Sequence, residues 1–289
     1  MAQAFQLVWE KNRVIRGDLF PSRRQAEGTI VICHGYKGFK DWGMFPYAAE
    51  RLAENFDVVS FNFSHNGIGE DLVNFTELDL FASDTYTKDL EDLAEVTARI
   101  RSGTLPINGR GPDTELPLYL LGHSRGGAVS LIFALDRPDE VDGVIGWNST
   151  VHVDLLTEEQ KAAMREGKRA YVTNARTGQQ LPLDPVILED LEANRERFAI
   201  VERITTAQVP IALIQGTEDH KRLQEGNARL VERNPSIRWI RIAGGNHTFN
   251  TVHPFQGSTE ALEAAIAETA GVLHQWSTTQ ESVTDTYGL

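Results

Sequence analysis

The chain has 289 residues, 41% hydrophobic and 24% charged, a composition that fits a packed globular protein and argues against a disordered one. That length suits one large α/β domain or two small ones. A net charge of −13 and a pI of about 5.1 weigh against nucleic acid and anionic membrane as partners.

The first ten residues, Met1–Glu10, lack a basic region followed by a long apolar run, and no run in the chain reaches the length of a membrane span. A cytoplasmic location is therefore the expectation. Residues 5–20 alternate apolar and polar, which predicts an opening hairpin with its turn at Asn12. The continuous apolar run Thr29-Ile30-Val31-Ile32-Cys33 predicts a strand covered on both faces. Cys33 is the single cysteine, so no intramolecular disulfide forms; its apolar setting predicts a small core residue and not a catalytic thiol. The loop from His34 to Gly43 leads to helical spacing over 46–54, with Pro46 at the first turn. A strand over 57–63 follows, then the loop Ser64–Gly69. Residues 86–102 predict an amphipathic helix with Leu90, Leu93, Val96 and Ile100 on one face.

Residues 118–129 read as strand, sharp turn and helix, and residues 141–147 as the next strand. Strands alternating with helices imply right-handed crossovers and a mostly parallel sheet. The rhythm breaks near 149 and resumes near 209. Between them lie a charged helical stretch at 158–165 and a hairpin pairing 169–173 with 179–183. The segment 149–207 reads as a cap on a core made of 1–148 and 208–289; the alternative is a linker between two domains. A strand at 210–215, a helix at 221–233, a strand at 237–242 and an amphipathic helix at 258–276 complete the core, with a polar, frayed last dozen residues.

The chemistry centres on Gly122-His123-Ser124-Arg125-Gly126. A serine at the tip of a strand-to-helix turn takes a strained, positive φ, and side chains at 122 and 126 would collide across the bend. Such a nucleophile elbow lifts the Ser124 hydroxyl above the sheet. Serine needs a base and a third group to orient that base. Of eight histidines, His247 lies in the loop Gly244–Phe249 just after the last strand, with His253 as runner-up. Sites in open α/β sheets gather beyond the carboxyl ends of strands. Gly216-Thr217-Glu218-Asp219 follows the strand 210–215, and Asp219 is the candidate acid. The order Ser124, Asp219, His247 is the one this arrangement demands. Backbone N–H groups of Arg125, opening the helix, and Tyr36, in the His34-Gly35-Tyr36 turn, are the candidate oxyanion donors.

These loops together resemble the α/β-hydrolases, in the branch of dienelactone-hydrolase-like and cinnamoyl (feruloyl) esterase-like enzymes with a short helix-plus-hairpin cap, over about residues 28–275. The resemblance implies a serine carboxylesterase acting on a small-molecule ester, with no metal or organic cofactor. Dienelactone hydrolases use a cysteine nucleophile where this chain has Ser124, and many relatives have Val-Pro shortly after the triad acid where this chain has His220-Lys221-Arg222-Leu223. A peptidase or acyltransferase on the same triad, or a ligand-binding protein without turnover, are the alternatives. Tyr171 and Leu181 of the cap hairpin are candidate substrate contacts or packing residues, and Trp147 is the candidate pocket floor.

Overall fold

A computed structural model describes residues 2–10 and 13–287, with side chains as far as residue 278; the turn expected at Asn12 lies outside the described residues. The first half runs β1 (Gln3–Trp9), β2 (Arg13–Phe20), β3 (Thr29–Cys33), α1 (Phe45–Leu52), β4 (Asp57–Asn62), α2 (Leu78–Ala82), α3 (Tyr86–Arg101), β5 (Leu118–His123), α4 (Arg125–Asp136) and β6 (Gly143–Trp147). The second runs α5 (Glu158–Arg165), β7 (Ala170–Thr173), β8 (Gln180–Leu183), α6 (Val186–Ala193), α7 (Ile200–Arg203), β9 (Ile211–Gly216), α8 (Lys221–Arg233), β10 (Arg238–Ile242) and α9 (Glu260–Tyr287).

Eight strands form one sheet in the order β1-β2-β4-β3-β5-β6-β9-β10. The β1–β2 hairpin joins it antiparallel, while the pairs from β4 to β10 are parallel. This is the α/β-hydrolase fold: a mostly parallel sheet with helices on both faces. Side-chain alternation splits the core into two layers. Val31, Cys33, Leu120 and Val144 face α3 and α4, whereas Ile30, Ile32, Leu121, Ile145 and Trp147 face α1 and α9. Strands buried on both faces must be apolar at every position, which is why they read as unbroken runs.

α9 continues through the polar residues expected to fray. Residues 272–287 contain neither glycine nor proline to stop it. The short helix α2 falls where no element is predicted. Phe75 and Phe81, around it, join Phe39, Ile68, Met164, Leu181, Leu183 and Leu188 in a third apolar cluster that seats the cap. The inserted segment itself divides. α5, the hairpin and α6 belong to this cap cluster, but Phe198, Ile200 and Ile204 sit in the main core with α4. The stretch around α7 is thus a core layer and not cap, because its apolar residues cover the sheet-side helix.

Candidate active site

Ser124 sits between β5 and α4 with φ 55° and ψ −115°. The strain is held by tight surroundings: its N–H donates to the Trp147 carbonyl at 3.0 Å, and its own carbonyl accepts from Thr150 N–H at 3.1 Å. A Cβ on Gly122 would come within 2.3 Å of the Gly126 carbonyl oxygen, and one on Gly126 within 2.1 Å of the Cys33 carbonyl oxygen. The bend therefore exists only with glycine at both positions.

The loops after β9 and β10 bring Asp219 and His247 to this serine. Ser124 Oγ lies 3.1 Å from His247 Nε2, and His247 Nδ1 donates to Asp219 Oδ1 at 2.7 Å. With Nδ1 holding its proton toward the carboxylate, Nε2 is left as the acceptor for the serine proton. Asp219 is buried, and burial alone would raise its pKa; hydrogen bonds from His247, Gln215 Nε2 and the His220 N–H outweigh that and hold it below the usual carboxylate value.

Residues outside the triad brace this array. Asn148 Nδ2 donates to the His247 carbonyl at 2.9 Å, and His123 Nε2 donates to the same oxygen at 2.8 Å. Burial, and next the neighbouring His247, lower the His123 pKa to about 3, so it stays neutral and can only brace. Asn148 Oδ1 also accepts from Gly216 N–H, tying the ends of β6 and β9 together. Gln215 carries a sequence signal: it is a polar side chain inside an otherwise apolar buried strand. His253, the other candidate base, is used elsewhere. Its Nδ1 accepts from Gly43 N–H at 3.0 Å and its ring stacks on Trp42.

The loop carrying Tyr36 packs directly on the nucleophile, since a Cβ on Gly35 would lie 3.1 Å from Ser124 Cβ. Among the described residues, neither the Tyr36 nor the Arg125 amide has a backbone hydrogen-bond partner, so both are available to an oxyanion.

The side chains of the same two residues help line a cavity closed by Phe81, Val153, Val172 and Leu183. Arg125 is buried between the Tyr36 and Tyr86 rings, 5.6 Å and 4.3 Å from their centroids. Its Nε donates to Asp89 Oδ2 at 3.0 Å, and Nη2 stands 3.5 Å from Asp84 Oδ2. Burial drives the Asp84 carboxyl well above the usual range despite Arg125, and Asp89 beside it adds to the rise.

The pocket residues expected from sequence fall elsewhere. Trp147 is 1% exposed on the α9 face, where its Nε1 donates to Thr269 Oγ1 at 2.8 Å; it is core and not pocket floor, because strand alternation points it away from α4. Tyr171 is 55% exposed, since Ala170 and Val172 take the inward positions of β7. Leu181 is fully buried inside the cap cluster, and Leu183 lines the cavity instead.

Residues 24–199 match the family described as "Serine aminopeptidase, S33". No curated protein matches the chain. Among solved structures, Est1E from Butyrivibrio proteoclasticus is similar over 95% of this chain and 98% of its own, at 14% identity and a TM-score of 0.65; it has also been solved with ferulic acid bound. The monoacylglycerol lipase of Paleococcus ferrophilus is similar over 91% of this chain and 99% of its own, at 15% identity and a TM-score of 0.65. DcsB in complex with its substrate analogue is similar over 95% and 99%, at 14% identity and a TM-score of 0.70. At such identities these structures speak for the fold.

Proposed function

We propose that this chain, which belongs to the serine aminopeptidase S33 family of α/β-hydrolases and is a serine hydrolase, acts as a carboxylesterase on small to medium esters. The observation that carries this reading is the continuous relay from Ser124 Oγ through His247 to Asp219, beside the Tyr36 and Arg125 amides, which have no backbone partner among the described residues. Ser124 Oγ attacks the ester carbonyl carbon while His247 Nε2 takes its proton. Asp219 holds the imidazolium by its Nδ1–H, and the Tyr36 and Arg125 amides receive the oxyanion. The tetrahedral intermediate collapses, the C–O bond to the alcohol breaks, and His247 returns the proton to the leaving oxygen. Water then attacks the acyl-serine with His247 again as base, releasing the acid and restoring Ser124.

The family's description favours a second reading, an aminopeptidase on the same triad. Its acyl group would carry an α-ammonium. The cavity that Tyr36 and Arg125 help line is walled mostly by apolar residues, among them Phe81, Val153, Leu156, Val172 and Leu183, a poor setting for an ammonium that must shed its water. Treatment with a fluorophosphonate, adduct mapping, and turnover of p-nitrophenyl esters against aminoacyl arylamides test the reading. The expected result is an adduct on Ser124 and faster ester cleavage. An adduct elsewhere overturns the site, and faster arylamide cleavage overturns the esterase.

A further inference from the structure

The two amides assigned to the oxyanion come from separate parts of the chain, so something must hold them in register. The Tyr36 amide belongs to the loop after β3, in a turn closed by a hydrogen bond from Gly38 N–H to the Gly35 carbonyl at 3.0 Å. The Arg125 amide opens α4. Such donors work through fixed position, and a misplacement of about 1 Å costs on the order of a hundredfold in rate.

The side chains of these same two residues meet. The Arg125 guanidinium lies 5.6 Å from the centroid of the Tyr36 ring and 4.3 Å from that of Tyr86, and Tyr36 also stacks on Phe81 with centroids 6.0 Å apart. Asp89, in the first turn of α3, fastens the guanidinium: its Oδ2 accepts from Nε at 3.0 Å and stands 2.9 Å from Nη2. Asp84 Oδ2 is farther, 3.5 Å from Nη2, so Asp89 makes the closer pair. Asp89 is 2% exposed and Arg125 7%. A pair so buried is a poor source of stability, because the cost of desolvating both charges offsets their attraction. Its place directly after the nucleophile points to a geometric task. Contacts run from α3 through Asp89 and Arg125 to the Tyr36 ring, and so tie three separate segments together at the oxyanion amides.

We propose that Asp89 is a positioning residue for the oxyanion hole: by fixing the Arg125 guanidinium against the Tyr36 ring, it holds both donor amides in place. The inference rests on the oxyanion assignment within the esterase reading and adds what keeps those donors aligned. A free arginine side chain samples many rotamers, and anchoring its planar end by two nitrogens and an aromatic ring removes that freedom down to the backbone. The Tyr36 loop is otherwise a surface connection of the kind that moves readily, and the docked ring pins it.

The test uses two variants of the whole chain. Asp89→Asn keeps the shape and removes the charge. The double variant Asp89→Leu with Arg125→Met removes both charges together, which should leave Tm unchanged or higher. In both, kcat for p-nitrophenyl esters is expected to fall at least about tenfold with KM within about twofold of wild type. The matching thionoesters place the developing charge on sulfur, which backbone N–H groups serve poorly, so their cleavage should fall less than about threefold. A second readout needs no ester turnover. Addition of Ser124 Oγ to an alkyl trifluoromethyl ketone, with the proton passing to His247, leaves an oxyanion at the two amides. Its Kd, followed by fluorine NMR, should weaken at least about tenfold in both variants. If no ester is cleaved, the esterase reading fails and the ketone Kd alone decides the role of Asp89. Equal losses on oxo- and thionoesters, an unchanged ketone Kd in a folded variant, or failure of both variants to fold overturns the proposal, since the pair would then serve the fold and not the hole.

Discussion

Two polar clusters are joined through the Ser124–Arg125 peptide, and they are built on opposite plans. In the Ser124–His247–Asp219 array, every polar side-chain atom that the proposed chemistry uses has a partner: Asp219 alone accepts from His247, Gln215 and the His220 backbone. In the Asp84–Tyr86–Arg125 group, Arg125 Nη2 pairs with Asp89 Oδ2 at 2.9 Å, but Asp84 Oδ1 and Tyr86 Oη have no hydrogen-bond partner among the described residues. The first plan fixes geometry before a substrate arrives, which is what electrostatic preorganisation requires. A saturated cluster should lose rate when any member is removed, and an atom without a partner should cost little when it is removed.

The largest expected effect is on the saturated side. Ser124→Ala should abolish fluorophosphonate labelling and lower kcat for esters by at least about 10⁴-fold, with an unaltered circular dichroism spectrum. His247→Ala should cost about as much, and Asp219→Asn somewhat less, because the three act as a unit. If His253→Ala silenced the enzyme and His247→Ala did not, the base would be misassigned.

A smaller effect should come from a brace. Gln215 Nε2 donates to Asp219 Oδ2 at 2.9 Å, and Gln215 Oε1 accepts from Trp239 Nε1 at 3.2 Å. Gln215→Leu leaves both groups short of a partner, a loss of about 1–3 kcal/mol of stability at neutral pH. Activity should fall about tenfold as the carboxylate loosens. The pH dependence has a definite sign. Asp219 is held below its ordinary value in the fold, so its stabilisation is complete above the unfolded carboxylate pKa of about 3.9 and is lost as pH falls through the lower folded value. The Tm gap between wild type and Gln215→Leu should therefore be widest at neutral pH and narrow on acidification below about pH 4. A gap that stays constant would detach Gln215 from the charge on Asp219.

The same contrast explains what could be read from the sequence. The Gly-x-Ser-x-Gly elbow, the acid after one strand and the histidine after the last are residue types that matter by themselves, at loop positions set by strand ends. The structure brings these together. The unsaturated cluster carries no such mark. Tyr86 opens an ordinary amphipathic helix, Asp84 precedes its N-cap Thr85, and the sequence marks Arg125 only through its backbone N–H. Trp147 is hard to orient from sequence because a strand buried on both faces has no polar alternation to reveal which way each residue points; Val144 faces α4 while Ile145 and Trp147 face α9. α2 is a single turn, too short for a helical period to show. Asn148 carries no mark because bracing depends on neighbours distant in sequence, and Gln215 shows only as a polar residue in an apolar strand.

The smallest effect marks the outer edge of the unsaturated region. Tyr171 and Val172 are consecutive on β7, so their side chains point to opposite faces of the hairpin. Val172 lines the cavity and Tyr171 stands in solvent. The Tyr171 carbonyl accepts from Gln160 Nε2 at 2.8 Å, a contact that a side-chain truncation leaves in place. Tyr171→Ala should thus leave kcat/KM for short aliphatic, long aliphatic and hydroxycinnamoyl esters within about twofold of wild type, with stability changed by no more than about 0.5 kcal/mol. Val172→Ala, by contrast, removes two methyl groups from the wall and should reorder the same series, penalising the acyl groups that fill the cavity best. A reordering by Tyr171→Ala without one by Val172→Ala would mean that the substrate approaches over the outer face of the hairpin, and the cavity would no longer be the acyl site.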